Sequence, residues 1–448
     1  MHDISFIGMT DFRGTNRWFG YQQADRRSHT WVLGKTGTGK TTLLKFLIAQ
    51  DLRAGRGCCL IDLHGDLARD VLDLVPPERT GQVVYFSPVD DAPIGLNILE
   101  SVPLDERHTT ASAVVSIFKD VWGASGGIQG RSEDILRNAV TALLDIPEST
   151  LLWIPRFIVD HPFREKLLPM VRDPVVAAYW RLEFARYTPA MKLEYTAAIM
   201  NKIRAYITAP PLRHVFGQWK TKLDLRWVMD HQRILIVDLA KGRLGEDKAA
   251  LLGKLVVMKL VLAAFSRIDT PEEKRPDFPI FIDEVQTCAS PVLSRALSEL
   301  RKFRTPLLGA HQYLRALPSE VLAAVKGNVG TLIVFRIGAD DAEELENEFL
   351  PEFTRRDLVN IGDYQAYVRL AVDGQTSRPF SARTRPWPAR ADEARRNAIL
   401  HASRQRWGRP REVVDRWIDG WYAEQEKPVR ASLPPRRRSP AKALAKEQ

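Results

Sequence analysis

Two hydrophobic patterns alternate along the chain. Short apolar runs stand at Trp31–Leu33, Cys58–Leu63, Val83–Phe86, Ile234–Leu239, Phe278–Ile282, Leu307–Ala310 and Thr331–Phe335. Runs of this length without strict polar alternation predict strands covered on both faces, as in a parallel sheet. Between them apolar residues recur at helical spacing. Leu43, Leu44, Leu47 and Ile48 share one face after the first run, and Ala249–Ile268, Val292–Phe303 and Ala342–Phe349 follow the same period. Strand and helix in alternation predict an α/β fold with a largely parallel central sheet.

From about Val102 to Trp227 strand-like runs are absent. Val114, Val115, Ile117, Phe118 and Val121 predict one helix, and Ile135, Leu136, Ala139, Val140, Leu143 and Leu144 a second. Helical spacing continues over Phe157–Leu168, Val175–Phe184 and Met191–Ile207, and Pro210-Pro211 is expected to end this helical insertion. At the N-terminus Ile4–Ile7 and Trp18–Tyr21 predict short strands around a turn. Tyr367–Val372 and Gln375–Thr384 flank Asp373-Gly374, a hairpin signal. Ala391–Ala402 and Val413–Glu426 predict helices, and Ser432–Gln448 a disordered end. The expected division is 1–30, strands leading into a core; 31–101, the first part of the core; 102–228, an inserted helical domain; 229–385, the second part of the core; and 386–448, a basic tail.

Composition narrows the class. With 448 residues, 45% apolar and 27% charged, the chain reads as a globular protein of two or three domains. Its three cysteines form neither a disulfide framework nor a metal spacing, which suits a cytoplasmic setting. The best membrane candidate, Leu251–Phe265, is short and interrupted by Lys254 and Lys259, so no transmembrane segment is expected. Of the net charge of +10, residues 381–448 carry nine, with 17 Lys and Arg against 8 Asp and Glu. Such a tail suits either a polyanion partner or a solubilising end.

The candidate chemistry sits at the ends of the apolar runs. Gly34-Lys35-Thr36-Gly37-Thr38-Gly39-Lys40-Thr41 reads G-x-x-x-x-G-K-T between a strand and a helix that opens with Thr42. Glycines let backbone N–H groups converge on phosphate oxygens, and a helix N-terminus favours negative charge there. This P-loop predicts ATP binding, with Lys40 on the β- and γ-phosphates and the Thr41 hydroxyl on Mg²⁺. Ile280-Phe281-Ile282 delivers two adjacent carboxylates. Asp283 is expected to hold Mg²⁺ through its waters and Glu284 to polarise the attacking water. Gln312 ends the next run, where an amide can sense the γ-phosphate. Arg336 ends the Thr331–Phe335 run on the same edge and is a better arginine-finger candidate than Arg301 or Arg304, which belong to the opposite end of a β-α-β unit.

Together these stretches resemble the HerA/FtsK class of P-loop motors, and more closely the conjugative type IV secretion coupling proteins and their TraD/TraG-like relatives. The resemblance rests on HTWVLGKTGTGKTT (29–42), IDLHGDL (61–67), VDLAKGRLGEDKAALLG (237–253), FIDEVQ (281–286), GAHQ (309–312) and TLIVFRIGADDA (331–342), and spans about residues 1–385. It implies a RecA-like P-loop NTPase core interrupted by an all-helical domain. It also implies a homo-hexameric ring with nucleotide at subunit interfaces and sequence-tolerant DNA binding in a central channel. Coupling proteins usually carry N-terminal membrane helices that this sequence does not show, so any contact with the inner membrane is expected to be peripheral, through partners. Three functions remain open: a DNA translocase for conjugation or mobile-element transfer, working with a relaxase and a secretion channel; a soluble DNA pump for processing or repair with a nuclease; and a nucleotide-switched adaptor that recruits cargo without translocation.

Overall fold

The computed structural model describes residues 4–100, 102–122, 130–388 and 390–426. The apolar runs form β3 (Thr30–Leu33), β4 (Cys58–Asp62), β5 (Val83–Phe86), β6 (Ile234–Asp238), β7 (Ile280–Ile282), β8 (Leu307–His311) and β9 (Thr331–Val334). They pair in parallel in the order β5-β6-β4-β7-β8-β3-β9. Four antiparallel strands extend the sheet beyond β9: β10 (Gln365–Arg369), β13 (Phe380–Arg383), β1 (Ile4–Thr10) and β2 (Trp18–Gln22), making eleven in all. The expected hairpin is present as β11 (Ala371–Val372) and β12 (Gln375–Thr376), turning through Asp373 and Gly374 at φ 51° and 75°. Positive φ at both central residues is what a tight two-residue turn of this hand needs.

Side chains alternate across each strand, so each run feeds two cores. Leu33, Ile61, Val237, Ile282 and Val334 enter the core on one face. Val32, Leu60, Ile236, Phe281 and Ile333 enter the core on the other. That second face is covered by helices Lys40–Arg53 and Asp66–Leu72, with Ile399 from the C-terminal region. The first face carries the larger layer. Helix Glu246–Phe265 is there, as are the helices between β5 and β6, among them Arg107–Trp122, Arg131–Leu144 and Pro189–Ile207. Glu246–Asp269 is long and apolar enough to cross a membrane, but 67% of its most apolar window is buried inside the protein. Buried Lys254 pairs there with Asp120 of Arg107–Trp122.

Two expectations change. Pro210-Pro211 opens helix Pro210–Phe216 instead of ending the helical stretch. Proline is tolerated in a first turn, where its missing N–H has no intrahelical acceptor to lose. Strands also stop earlier than their apolar runs: β9 ends at Val334, two residues before Arg336. Helix Ser319–Asn328 supplies the crossover from β8 to β9 that parallel pairing requires. Its buried positions are few, Val321, Ala324 and Val325, and no expectation covers it.

Beyond Pro388 two helices dock on the rest of the molecule. Glu393–Trp407 lies along the sheet edge, where the Tyr85 N–H of β5 donates to Ser403 Oγ at 2.9 Å. Arg396 Nε donates to Asp73 at 2.7 Å, and Arg404 makes a bidentate contact with Asp90. Arg411–Glu426 packs on the helical layer through His214–Asp415 at 2.8 Å and the Trp153–Trp421 stack. The expected disorder over Ser432–Gln448 lies outside the described residues.

Candidate functional site: a phosphate-binding loop facing paired carboxylates

The loop after β3 is shaped by what glycine permits. A Cβ on Gly34 would stand 2.6 Å from the Phe335 Cβ and 2.8 Å from Thr38 Oγ1. Gly39 has φ +122°, and a Cβ there would crowd Phe335 and Tyr364. The Lys35 N–H donates to the Arg336 carbonyl at 2.8 Å, and Thr38 Oγ1 donates to the Lys35 carbonyl at 2.8 Å. Lys35, Thr36 and Gly37 are exposed at the tip. Helix Lys40–Arg53 then begins with no side-chain cap and no acid in its first turn. The N–H groups of Lys40, Thr41 and Thr42 have no intrahelical acceptor there, and the helix dipole adds positive potential. Lys40 is buried, and its Nζ donates to the carbonyls of Gly34 at 2.7 Å and Lys35 at 3.2 Å. Burial lowers its pKa, while Glu284 and Asp283 work against that shift.

The paired carboxylates follow β7 directly. Thr41 Oγ1 donates to Asp283 Oδ2 at 3.4 Å, which brings together the two side chains expected at Mg²⁺. Burial pushes the Asp283 carboxyl up to about 6, with the Glu284 and Asp62 carboxylates adding and Lys40 opposing. Glu284 adopts a left-handed backbone at φ 53°. β8 lies between β3 and β7, so Gln312, one residue past its end, reaches across: Gln312 Nε2 donates to Glu284 Oε1 at 2.8 Å. The structure therefore gathers Lys40, Thr41, Asp283, Glu284 and Gln312 at the carboxyl edge of the sheet, where open α/β folds bind ligands.

Arg336 lies beside this group by its backbone, but its guanidinium pairs with Asp363 at 2.7 Å, both side chains being partly exposed. Arg304 lies at the opposite edge, donating to the Glu273 and Arg275 carbonyls.

Tertiary structure adds residues beyond the expected set. Asp238, Asp62 and Asp283 stand at the ends of the neighbouring strands β6, β4 and β7, forming an acidic row. Asp62 accepts from the N–H groups of His64 at 3.0 Å and Ala68 at 2.8 Å, which fixes the turn after β4. Asp238 accepts from the Tyr85 hydroxyl at 2.9 Å, and a Cβ on Gly65 would meet Asp238 Oδ1 at 2.7 Å. The run IDLHGDL ending on the ligand edge is the sequence signal for this turn. Tyr364 has no such signal. Its N–H donates to the Thr38 carbonyl at 2.8 Å, which brings this exposed tyrosine beside Gly39. Under the loop, Trp31 Nε1 donates to His311 Nε2 at 2.7 Å, and burial drives the His311 pKa down to about 3, so it stays neutral.

Comparison with solved structures bears on this arrangement. The bacterial conjugative coupling protein TrwB, in an unbound form lacking its first 70 residues, superposes with a TM-score of 0.62 at 14% identity, covering 85% of this chain and 89% of that one. The chain has the coupling-protein fold. Plasmid coupling protein TrwB in complex with ADP and Mg²⁺ matches with a TM-score of 0.61 at 15% identity, over 87% of this chain and 92% of that one. VirB4 of Thermoanaerobacter pseudethanolicus matches with a TM-score of 0.58 at 14% identity, over 86% and 97%. No protein-family model and no curated protein sequence matches the chain. The coupling-protein fold is thus reached at sequence identities that leave its activity to be argued from the site.

Proposed function

We propose that the chain is a Mg²⁺-dependent ATPase that moves DNA through a ring of its own copies, in conjugative or mobile-element transfer. The observation that carries this reading is the meeting of Thr41 with Asp283 at 3.4 Å, beside Lys40 and Glu284, at one strand edge. Binding alone needs only the loop; a carboxylate pair facing it suits hydrolysis.

The residues present fit ATP and Mg²⁺. The loop from Gly34 to Thr42 leads into an uncapped helix start, and Lys40 offers an ammonium bonded only to neutral carbonyls in its hydrogen bonds. Thr41 and Asp283 offer two oxygens, which suits a cation held mainly by phosphates and water. Bound Mg²⁺ would neutralise phosphate charge. Within the chain, Lys40 exchanges loop carbonyls for phosphate oxygens, Glu284 orients and polarises the attacking water, and Gln312 reports on the γ-phosphate through Glu284. Arg336 is assigned the role of finger toward the nucleotide of a neighbouring subunit, leaving Asp363 to do so.

The coupling-protein fold supports the rest: a homo-hexamer, sequence-tolerant DNA in its channel, and a relaxase or secretion channel as partner. On this reading residues 102–228 are a domain inserted in the ATPase core. The protein works in the cytoplasm, at the inner membrane through partners.

The deciding experiment measures ATP hydrolysis and ATP binding with and without DNA, for the wild type and for Glu284→Gln. DNA-stimulated turnover that Glu284→Gln abolishes, with ATP binding kept, is the expected result. Turnover indifferent to DNA would favour an adaptor, and normal turnover in Glu284→Gln would remove Glu284 from its role.

A further inference from the structure

Glu284 is held from two sides. Gln312 Nε2 donates to its Oε1 at 2.8 Å, and Gln286 Nε2 donates to its Oε2 at 2.5 Å. Between the two amides the glutamate backbone sits at φ 53°, ψ 54°, a conformation that a non-glycine residue keeps only when its surroundings impose it. The Glu284 N–H is also engaged, donating to Asp283 Oδ1 at 3.1 Å.

The two amides differ in how firmly they are mounted. Gln312 follows β8 in the middle of the sheet, beside the buried His311 that Trp31 locks in place. Gln286 belongs to the one-turn helix Val285–Cys288, whose N-cap is Glu284 itself, and its hydrogen bond reaches back only two residues. The other end of the Gln286 amide is unsatisfied: its Oε1 is buried with no hydrogen-bond partner. A buried acceptor without a donor is unfavourable, so this side chain gains by turning wherever a donor is offered.

We infer that Gln286 is a positioning residue that restrains Glu284, and that turnover rises when its amide leaves Oε2 while Gln312 keeps Oε1. Each carboxylate oxygen can accept twice, but an oxygen that already accepts from an amide is a weaker base toward the attacking water and is fixed in direction, and here each oxygen accepts one amide N–H. Gln312 orients the carboxylate for that task; Gln286 lowers the basicity of the second oxygen and ties the carboxylate to the short helix. Any event that turns Gln286 away, DNA in the channel or a neighbouring subunit, then raises turnover without touching the nucleotide. This inference rests on the assignment of Glu284 to water activation.

The test uses the full-length protein and steady-state ATP hydrolysis without DNA. Gln286→Leu keeps the side-chain bulk and removes the donor; Gln286→Glu removes the donor and adds a like charge. Both are expected to raise the DNA-independent kcat roughly tenfold, the scale of one hydrogen bond to a charged group. KM for ATP should stay within about twofold, since the amide contacts no nucleotide in this assignment. Stimulation by DNA should shrink in proportion. Gln312→Leu is expected to lower kcat instead. If Gln286→Leu melts early, Gln286→Glu decides. An unchanged or lower kcat in the folded Gln286 variants overturns the restraint. Adding Glu284→Gln to Gln286→Leu separates the two claims: an inactive double variant keeps Glu284 in its role whatever Gln286 does, and an active one fails the functional reading itself.

Discussion

The two ends of helix Lys40–Arg53 are built in opposite ways. At the first end nothing in the chain caps the helix: the N-cap is Gly39, the first turn holds no acid, and Lys40 rests on carbonyls of the loop. At the last end buried ion pairs and hydrogen bonds hold the turn. Asp51, 0% exposed, accepts from Arg26 at 2.7 and 2.8 Å and from Arg56 at 2.8 Å, and Arg79 donates to the Leu52 and Arg56 carbonyls. Gln50 ties the same turn to β1 by exchanging hydrogen bonds with the Phe6 backbone. A helix end whose N–H groups the chain leaves open can receive an anion; an end saturated by buried ion pairs serves only the fold. The contrast predicts that substitutions at one end change rate and at the other stability.

The largest effect belongs to the open end. Arg336→Ala should lower ATP turnover by ~10³–10⁵, the contribution of a finger to phosphoryl transfer. Its melting temperature should hardly move, because a partly exposed ion pair is worth only about 0–1 kcal/mol. Mixing inactive Arg336→Ala with inactive Lys40→Ala should recover activity, since the Lys40→Ala subunit still offers Arg336 to an intact neighbour. Subunit exchange confirmed by labelling, with no recovery, would reject the trans role; full activity of Arg336→Ala alone would reject any catalytic one.

At the saturated end, Asp51→Ala leaves the Arg26 guanidinium, 2% exposed, without its carboxylate. Breaking such a buried pair costs about 3–5 kcal/mol, to be read from denaturant unfolding. The protein that remains folded should bind ATP as the wild type does. If ATP affinity falls while unfolding is unchanged, the division between the two ends fails.

A smaller effect is expected where the C-terminal helix meets the sheet edge. Arg404 is 42% exposed in its pair with Asp90. Arg404→Ala should lower stability by no more than about 1 kcal/mol and leave hydrolysis as it was. A loss of turnover there would show that the docked helix reports to the site, and the contrast would have to include it.

Legibility in the sequence followed the range of the interactions. The strands of the parallel core are readable because each is covered on both faces, so its apolar run is unbroken, as in Val32–Leu33 or Ile234–Val237. The loop is readable because it needs close approach at Gly34 and a left-handed-side backbone at Gly39, and only one residue type supplies both. Strand ends are not readable to the residue. Phe335 is fully buried and continues the apolar run, yet β9 stops at Val334 and leaves Arg336 beyond it, where Asp363 takes its charge. Nor is the C-terminal region readable from charge. Its two helices are legible from their period, but its arginines suggest a polyanion partner or a solubilising end, whereas Arg396 and Arg404 are matched to Asp73 and Asp90, more than three hundred residues earlier.

What the sequence determined by itself is local: the strands of the parallel core and the helices of clear apolar period, where the phosphate loop lies, and that Asp283 and Glu284 leave a buried strand together. These follow from periodicity and from residues whose backbone or side chain has one fitting use. What only the tertiary structure decided is the order of the strands and therefore who meets whom. Placing β8 between β3 and β7 carries Gln312 onto Glu284. Pairing β4 with β6 sets Asp62 beside Asp238, and the turn before β10 brings Tyr364 to the loop. These meetings depend on how two cores pack on one twisted sheet, a cooperative property of all the buried side chains that no single stretch encodes.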